Sequence, residues 1–323
     1  MSELFNLDAM RPHSGMKAAD LFAGWGGFTA GAEAAGVRVV WAANHWRLAV
    51  NTHAMNHPTT KHSCQDLNQA NFYDVPDIDL LLASPACQGH SQAAQPSRKA
   101  DGTVKRHHDK LRSTAWAVVS AADAKEPGLI VVENVPDFRN WRLYRAWCAA
   151  LEDLGYSLEE HELYASHMGV PQRRKRLFVV GVRAANPLGL HFEQQDEPAF
   201  GPCIDWDAGE WLPVANKTPA VRARVAKGRA SHGDRFITQH VTNHPGVPLH
   251  EPIRTITTKD QWAVVDGDVM RPLTIEENAR AMGFPSSYRL PAGATRRDIV
   301  RGFGNAVCPP QAANILTAIQ EAA

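Results

Sequence analysis

Cys87 stands where an apolar run stops. In LLLASPACQGHS, residues 80–91, the buried-type segment ends at Ser84-Pro85 and the cysteine follows two residues later. A thiol is nucleophilic as the thiolate, so it needs neighbours that favour the anion and a place that a substrate can reach. Glu133 closes the next apolar run, in VVENV, and a carboxylate directly after buried residues is costly unless it has a partner or a task. In PQRRKRLFVV, the alternation of Gln172, Arg174 and Arg176 predicts three side chains on one face at the mouth of a strand. Ahead of all of these, DLFAGWGGFTAG sets Gly24, Gly26, Gly27 and Gly31 between a strand and a helix. Glycines there let the backbone turn tightly and approach a ligand closely. The spacing is not G-x-G-x-x-G and carries no Walker lysine. For a nucleotide-like ligand, Asn44, His45 and Trp46 follow the second strand, Asp66 offers an acceptor for an adenine amino group, and Phe22 and Trp46 could sandwich a ring.

Each of these residues alone has a plain structural reading. A lone cysteine is usually core, and a strand-end glutamate is usually a cap or an ion-pair partner. What points to one site is their order at consecutive strand ends: glycine loop, cysteine, glutamate, arginines.

The elements that must position them follow from periodicity. MKAADLF, VRVVWAAN, IDLLLAS, GLIVVENV and KRLFVVGV read as strands, alternating with the helical segments GGFTAGAEAAG, WRLAVNTHAMN, STAWAVVSAADAK and LYRAWCAALEDLG. This alternation predicts an α/β fold, a mostly parallel, doubly wound sheet covered on both faces. After Arg183 the chain becomes rich in Pro, Gly, Trp and His, with short strand-like pieces such as RFITQHV and IRTITT. We expect residues 1–183 to form the large domain, 184–289 a smaller irregular domain with a hinge, and 290–323 a segment returning to the first. Thr274 and Glu277 fit a capping box, and PPQAANILTAIQEA reads as the last helix.

The 323 residues carry equal numbers of acidic and basic side chains, 34 of each, so the whole molecule does not attract nucleic acid electrostatically. The basic residues cluster instead at 98–112, 173–176, 222–229 and 296–301. Five cysteines without a C-x-x-C pair predict neither a disulfide framework nor a metal site and suit a reducing cytoplasm. No apolar run has the length of a membrane span, and the first residues lack the pattern of a signal peptide and read as a poorly ordered lead-in.

At this point the motifs resemble those of the cytosine-C5 DNA methyltransferases, over nearly the whole chain. DLFAGWGGFTAG is similar to the family's cofactor motif, SPACQGHS to its nucleophile motif, ENV to its acid motif and QRRKR to its Gln-x-Arg-x-Arg motif. RPLTIEENARAMGFP resembles the segment that closes the recognition domain, and GNAVCPPQAANI the final motif. The resemblance implies a Rossmann-like methyltransferase fold, S-adenosylmethionine as cofactor, double-stranded DNA as partner, and 184–289 as the target-recognition domain. It implies Cys87 as nucleophile on cytosine C6, Glu133 on N3 and the amino group, Arg176 on the carbonyl oxygen and Arg174 in support. It places Phe22, Ala23, Gly24, Gly26, Gly27, His45, Trp46, Asp66, Leu67, Pro85, Asn305 and Val307 around the cofactor. Gln88, Ser91, Lys105, Arg106, Arg112 and Gln172 would meet DNA. A monomeric cytoplasmic enzyme of bacterial or phage origin, with a separate restriction endonuclease as candidate partner, completes the expectation.

Two positions depart from the family. Ala86 stands where proline usually precedes the cysteine, which loosens φ at one position. His45 stands where a ribose-binding glutamate is usual, which removes a fixed negative charge. The His45 departure leaves room for an S-adenosylmethionine derivative with extra negative charge. The same motifs would also suit an RNA cytosine methyltransferase or a catalytically silent DNA-binding relative.

Overall fold

The computed structural model describes residues 15–86, 113–241 and 244–322. Cys87, Gln88, Ser91, Lys105, Arg106 and Arg112 lie outside the described residues. In chain order the elements are β1 (Lys17–Leu21), α1 (Gly27–Ala34), β2 (Arg38–Asn44), α2 (Arg47–Asn56), β3 (Lys61–Cys64) and β4 (Leu80–Ala83). Then come α3 (Trp116–Lys125), β5 (Leu129–Asn134), α4 (Tyr144–Asp153), β6 (Ser157–Tyr164), β7 (Gln172–Arg173) and β8 (Lys175–Val182). The remainder are β9 (Leu212–Pro213), α5 (Pro219–His232), β10 (Arg235–Gln239), β11 (Val247–Pro248), β12 (Ile253–Arg254), β13 (Trp262–Asp266), β14 (Val269–Pro272), α6 (Ile275–Ala281), α7 (Arg296–Asn305) and α8 (Pro309–Ala322).

The chain divides into two units. One runs to Leu163, resumes over Lys175–Phe192 and takes in Ala312–Ala323; the other is built from Tyr164–Arg174 and Glu193–Gln311. The first holds a seven-stranded sheet in the order β3-β2-β1-β4-β5-β8-β6. The pairs β1–β2, β2–β3, β1–β4 and β4–β5 are parallel. Strand order reverses between β1 and β4, and ligands of open α/β sheets bind at such a switch point, outside the strands' carboxyl ends. The central strands are continuous apolar runs because helices cover both faces. Leu80, Leu81 and Leu82 are each at most 1% exposed, and burial of each such side chain contributes about 1.5–3 kcal/mol.

The sheet is mostly parallel, as the alternation predicts, with β8 running antiparallel to β5. Two readings of this unit need correction. Strands β3 (KHSC) and β6 (SLEEHELY), the sheet's two edges, were not anticipated, since edge strands carry polar and charged residues that hide the strand pattern. Gln172, Arg174 and Arg176 do not share one strand face. Gln172 belongs to β7, which pairs with β12 in the second unit, whereas Arg176 belongs to β8 in the first.

The second unit is less irregular than its composition suggests. It carries a five-stranded sheet, β11-β10-β13-β14-β9, with each neighbouring pair antiparallel. The basic run 222–229 lies on α5. Pro219 at its first turn and Gly233 at its C-cap are start and stop signals that charge had masked. α5 packs closely on β10: a Cβ on Gly228 would lie 2.2 Å from the ring of Phe236. The capping box of Thr274 and Glu277 at α6 is present in both halves.

Candidate active site

The turn after β1 is built from left-handed backbone. Phe22 has φ 63°, Gly24 54° and Gly26 77°. Glycine adopts such angles freely, but a phenylalanine there stores about 1–3 kcal/mol of strain, a cost that clusters at functional sites. Neighbouring strand ends hold the turn. The Ala23 amide donates to Ala43 O (3.1 Å) at the end of β2, and Ser84 N, just after β4, donates to Leu21 O (3.1 Å). The Ser84 hydroxyl donates to Phe22 O (3.4 Å). The Pro85 carbonyl accepts Asn134 Nδ2–H (3.1 Å) from the end of β5. The backbone two residues before Cys87 is thus tied to the ends of β1 and β5.

Glu133 lies beside Asn134, and its Oε1 is 2.8 Å from Arg176 Nε. Both residues are buried, Glu133 6% and Arg176 9% exposed. They meet because β8 is antiparallel: its first residues lie along the last residues of β5, with Glu133 opposite Phe178 and Asn134 opposite Leu177. A buried ion pair demands good geometry to offset desolvation. Here a planar guanidinium and a carboxylate, a donor and an acceptor for an amide-like ring, are held ready at one sheet edge.

Beneath the glycine turn runs a second polar chain that the sequence did not disclose. Asp20 is fully buried and accepts the Thr29 hydroxyl at 2.8 Å. His53 Nε2 lies 3.0 Å from the same hydroxyl oxygen, and His53 Nδ1 lies 2.8 Å from His62 Nε2. If Thr29 donates to the carboxylate, its oxygen accepts from His53 Nε2–H, and His53 Nδ1 then accepts from His62. Burial pushes the Asp20 carboxyl up to about 7, against smaller opposing effects of the Thr29 side-chain and backbone bonds. Burial, then the nearby His57 and His62, hold the His53 imidazole well below its usual range. A carboxyl whose folded pKa is raised binds its proton more tightly in the native state, so its contribution is lost as pH rises toward the folded pKa. Ionising Asp20 in place, from 3.8 in the unfolded chain to about 7, costs on the order of 4 kcal/mol. Asp20→Asn is therefore expected to shrink the loss of stability between pH 5 and pH 8, seen as a smaller difference in urea midpoint than in the wild-type protein.

The other residues named from sequence are dispersed. Trp46 packs against Trp25, with ring centroids 5.5 Å apart, and its amide donates to Asn44 Oδ1 at 2.9 Å. His45 is exposed, as is Asp66, whose carboxylate accepts the Asn68 amide at 3.1 Å. Leu67 is buried. Gln172, Arg174, Asn305 and Val307 belong to the second unit. Asn134 and Ser84, which fix the turn before Cys87, were not singled out from sequence, although both lie inside quoted motifs. No group of three or more His, Cys, Asp or Glu able to hold a metal ion occurs among the described residues. Nor is any helix among them long and apolar enough to cross a membrane.

A switch-point turn with strained backbone, beside a buried acid–guanidinium pair and a strand end leading to a cysteine, defines a nucleotide-fold transferase. The family model for C-5 cytosine-specific DNA methylase matches residues 16–202 and 213–321, and the chain belongs to that family. It is similar to the Type II methyltransferase M.NlaX of Neisseria lactamica, 28% identical over 91% of this chain and 93% of that one. M.HgiDI of Herpetosiphon aurantiacus is 29% identical over 94% of each. Among solved structures, the methyltransferase EhMeth of Entamoeba histolytica superposes with a TM-score of 0.69 at 16% identity, covering 95% of this chain and 98% of that one.

Proposed function

We propose that the protein transfers a methyl group from S-adenosylmethionine to C5 of a cytosine flipped out of duplex DNA. The observation that carries this reading is the Glu133–Arg176 pair at 2.8 Å, next to the Asn134-held turn that leads to Cys87. The residues fit the cofactor. The bend at Phe22, Gly24 and Gly26 offers backbone rather than side chains to a ligand. α1 begins at Gly27 with no side-chain cap, and among the described residues Gly24 has only the Phe22 carbonyl near its missing Cβ. Phe22, Ala23, Gly24, Gly26, Gly27, Trp46, Asp66, Leu67 and Pro85 would hold it. His45 would offer the ribose hydroxyls an imidazole. Bound S-adenosylmethionine would supply the electrophilic methyl group.

The chain's own residues do the rest. The Cys87 thiolate forms a bond to C6, which makes C5 nucleophilic. Glu133, carrying a proton when the base is bound, donates to N3 and accepts from the exocyclic amino group, and Arg176 donates to the carbonyl oxygen, so the negative charge that develops on the ring meets donors already oriented. A water held in the site takes the C5 proton, after which the C6–sulfur bond breaks and the ring is restored. Gln88, Ser91, Lys105, Arg106 and Arg112 would hold the DNA while the base is unstacked, at a cost of a few kcal/mol, whereas Gln172 is fully buried, its amide engaged by Ile256 N and Ala281 O, and would not touch the duplex. The unit built on the antiparallel sheet would read the target.

Incubation with methyl-labelled S-adenosylmethionine and a mixed-sequence duplex should label cytosine C5. A duplex containing 5-fluorocytosine should trap the protein covalently through Cys87. Preferred transfer to transfer RNA over the duplex, or no transfer by the folded protein, would overturn the reading.

A further inference from the structure

The polar chain beneath the glycine turn runs from the edge of the parallel sheet into its interior. Its outer end, His62, is half-buried on the edge strand β3; its inner end, Asp20, is fully buried on β1. His53 on α2 and Thr29 on α1 bridge them, with separations of 2.8 Å from His62 to His53, 3.0 Å from His53 to Thr29 and 2.8 Å from Thr29 to Asp20. Each of these contacts joins atoms that donate in one protonation state and accept in another, so the same distances serve two directions of donation. With Asp20 ionised, Thr29 donates to the carboxylate, His53 donates from Nε2 to Thr29, and His62 donates from Nε2 to His53. With Asp20 protonated, the acid donates to the Thr29 oxygen, Thr29 donates to His53 Nε2, and His53 donates from Nδ1 to His62.

The two states differ by one proton and connect atom by atom. A proton taken up from water at His62 Nδ1 is followed by passage of the His62 Nε2 proton to His53 Nδ1, of the His53 Nε2 proton to the Thr29 oxygen, and of the Thr29 proton to Asp20. Both imidazoles end neutral, each with its proton on the other nitrogen, and only the carboxylate has lost its charge. The surroundings favour neutral imidazoles: burial, then His57, lowers the His62 pKa, with the Thr60 backbone opposing them. Among the described residues, the other titratable groups facing the chain are Glu33 of α1 and His57, just after α2. They engage each other, His57 Nδ1 lying 2.8 Å from Glu33 Oε2, and the His57 and His53 ring centroids are 4.6 Å apart. β4, beside β1, brings only Leu and Ala. The chain also reaches the cofactor turn. Asp20 lies on β1 just ahead of Phe22, and His53 and His62 line one small void together with Ala23 and Gly24.

We propose that His62, His53 and Thr29 form a proton path from the sheet edge to Asp20, and that the charge so delivered or removed beneath the cofactor turn sets cofactor affinity as pH changes. S-adenosylmethionine carries a sulfonium, so an anionic Asp20 favours it and the neutral acid does not. Because burial raises the Asp20 carboxyl to about 7, affinity rises with pH through neutrality, and by linkage the bound cofactor expels the proton. The identity of the cofactor rests on the methyltransferase reading above; the path itself does not.

The path is tested on the cofactor-free protein by nuclear magnetic resonance of the histidine nitrogens and aspartate carboxyls. His53 should stay neutral and move its proton from Nε2 to Nδ1 as pH falls, with the same midpoint as the Asp20 carboxyl. Thr29→Ser should keep the exchange and Thr29→Val should abolish it. A His53 that holds one tautomer throughout, or that becomes charged, would overturn the path, and this wild-type measurement stands whether or not the variants fold. The linkage is read by calorimetry of S-adenosylmethionine binding in buffers of different ionisation enthalpy. Wild type should release protons on binding near pH 7 and bind up to about tenfold more tightly at pH 8 than at pH 6, the limit for one group titrating near 7. Asp20→Asn should show neither effect. Equal affinity at the two pH values without proton release in wild type would overturn the linkage. Failure of wild type to bind S-adenosylmethionine at any pH would instead count against the function reading, and the tautomer result would still decide the path.

Discussion

Glu133→Gln is expected to slow single-turnover methyl transfer about a hundred- to thousandfold, the size seen when one preorganised hydrogen-bonding group is removed from a developing charge. The carboxylate is 6% exposed and faces Arg176 at 2.8 Å. The amide keeps the shape and one acceptor but loses the charge that pairs with Arg176. Duplex affinity should change by only a few-fold, since positioning on DNA rests mainly on phosphate contacts. A rapid-quench assay with saturating DNA, set beside equilibrium binding of the same duplex, separates the two. If the rate falls by less than tenfold while the protein remains folded, Glu133 is not the residue that stabilises the attacked ring.

Arg271→Met is expected to destabilise the antiparallel-sheet unit by about 3–5 kcal/mol, because it strands a buried carboxylate. Arg271 is 1% and Glu277 0% exposed, and Nη1 and Nη2 of Arg271 donate to the two Glu277 oxygens at 2.7 Å each. The same carboxylate accepts the amides of Thr274 (2.7 Å) and Asp205 (2.9 Å), while Arg271 also donates to Asp205 O at 2.7 Å. The guanidinium stacks 4.7 Å above the Trp211 ring. One ion pair therefore joins a helix cap, a strand and an irregular loop. The urea midpoint measures the loss. The double variant Arg271→Met, Glu277→Gln should recover part of it, since no buried charge is then left alone; a double variant as unstable as the single one would show that packing, not charge, dominates.

The half of this arrangement that lies within one helical turn was readable in the sequence, and the other half was not. Thr274 and Glu277 announce a capping box by spacing alone, whereas nothing local marks Arg271 as the partner of the same glutamate. The same division holds across the molecule. Continuous apolar runs disclosed β1, β2, β4, β5 and β8, and with them the edge on which Glu133 emerges. They could not disclose that β8 turns back against β5, which is what brings Arg176 to Glu133. Edge strands β3 and β6 carry the polar residues expected of edges, so their pattern was lost. The partners of Arg174 are carbonyls 82 to 132 positions away, and a backbone oxygen has no sequence signature. Asp20, Thr29, His53 and His62 belong to β1, α1, α2 and β3, and only the assembled sheet makes them neighbours.

The hydrogen bond from Gln320 Nε2 to Ala35 O, 3.1 Å long, joins positions 285 residues apart. Closing so long a stretch costs about 5 kcal/mol from its length alone. Ala312, Ile315 and Leu316 of α8 are buried in the finished protein, and α8 follows every strand of the antiparallel-sheet unit in the chain, so in vectorial synthesis the parallel-sheet unit cannot close until the strands of the other have been made. Removing α8 should do far more harm than the loss of one peripheral helix would suggest.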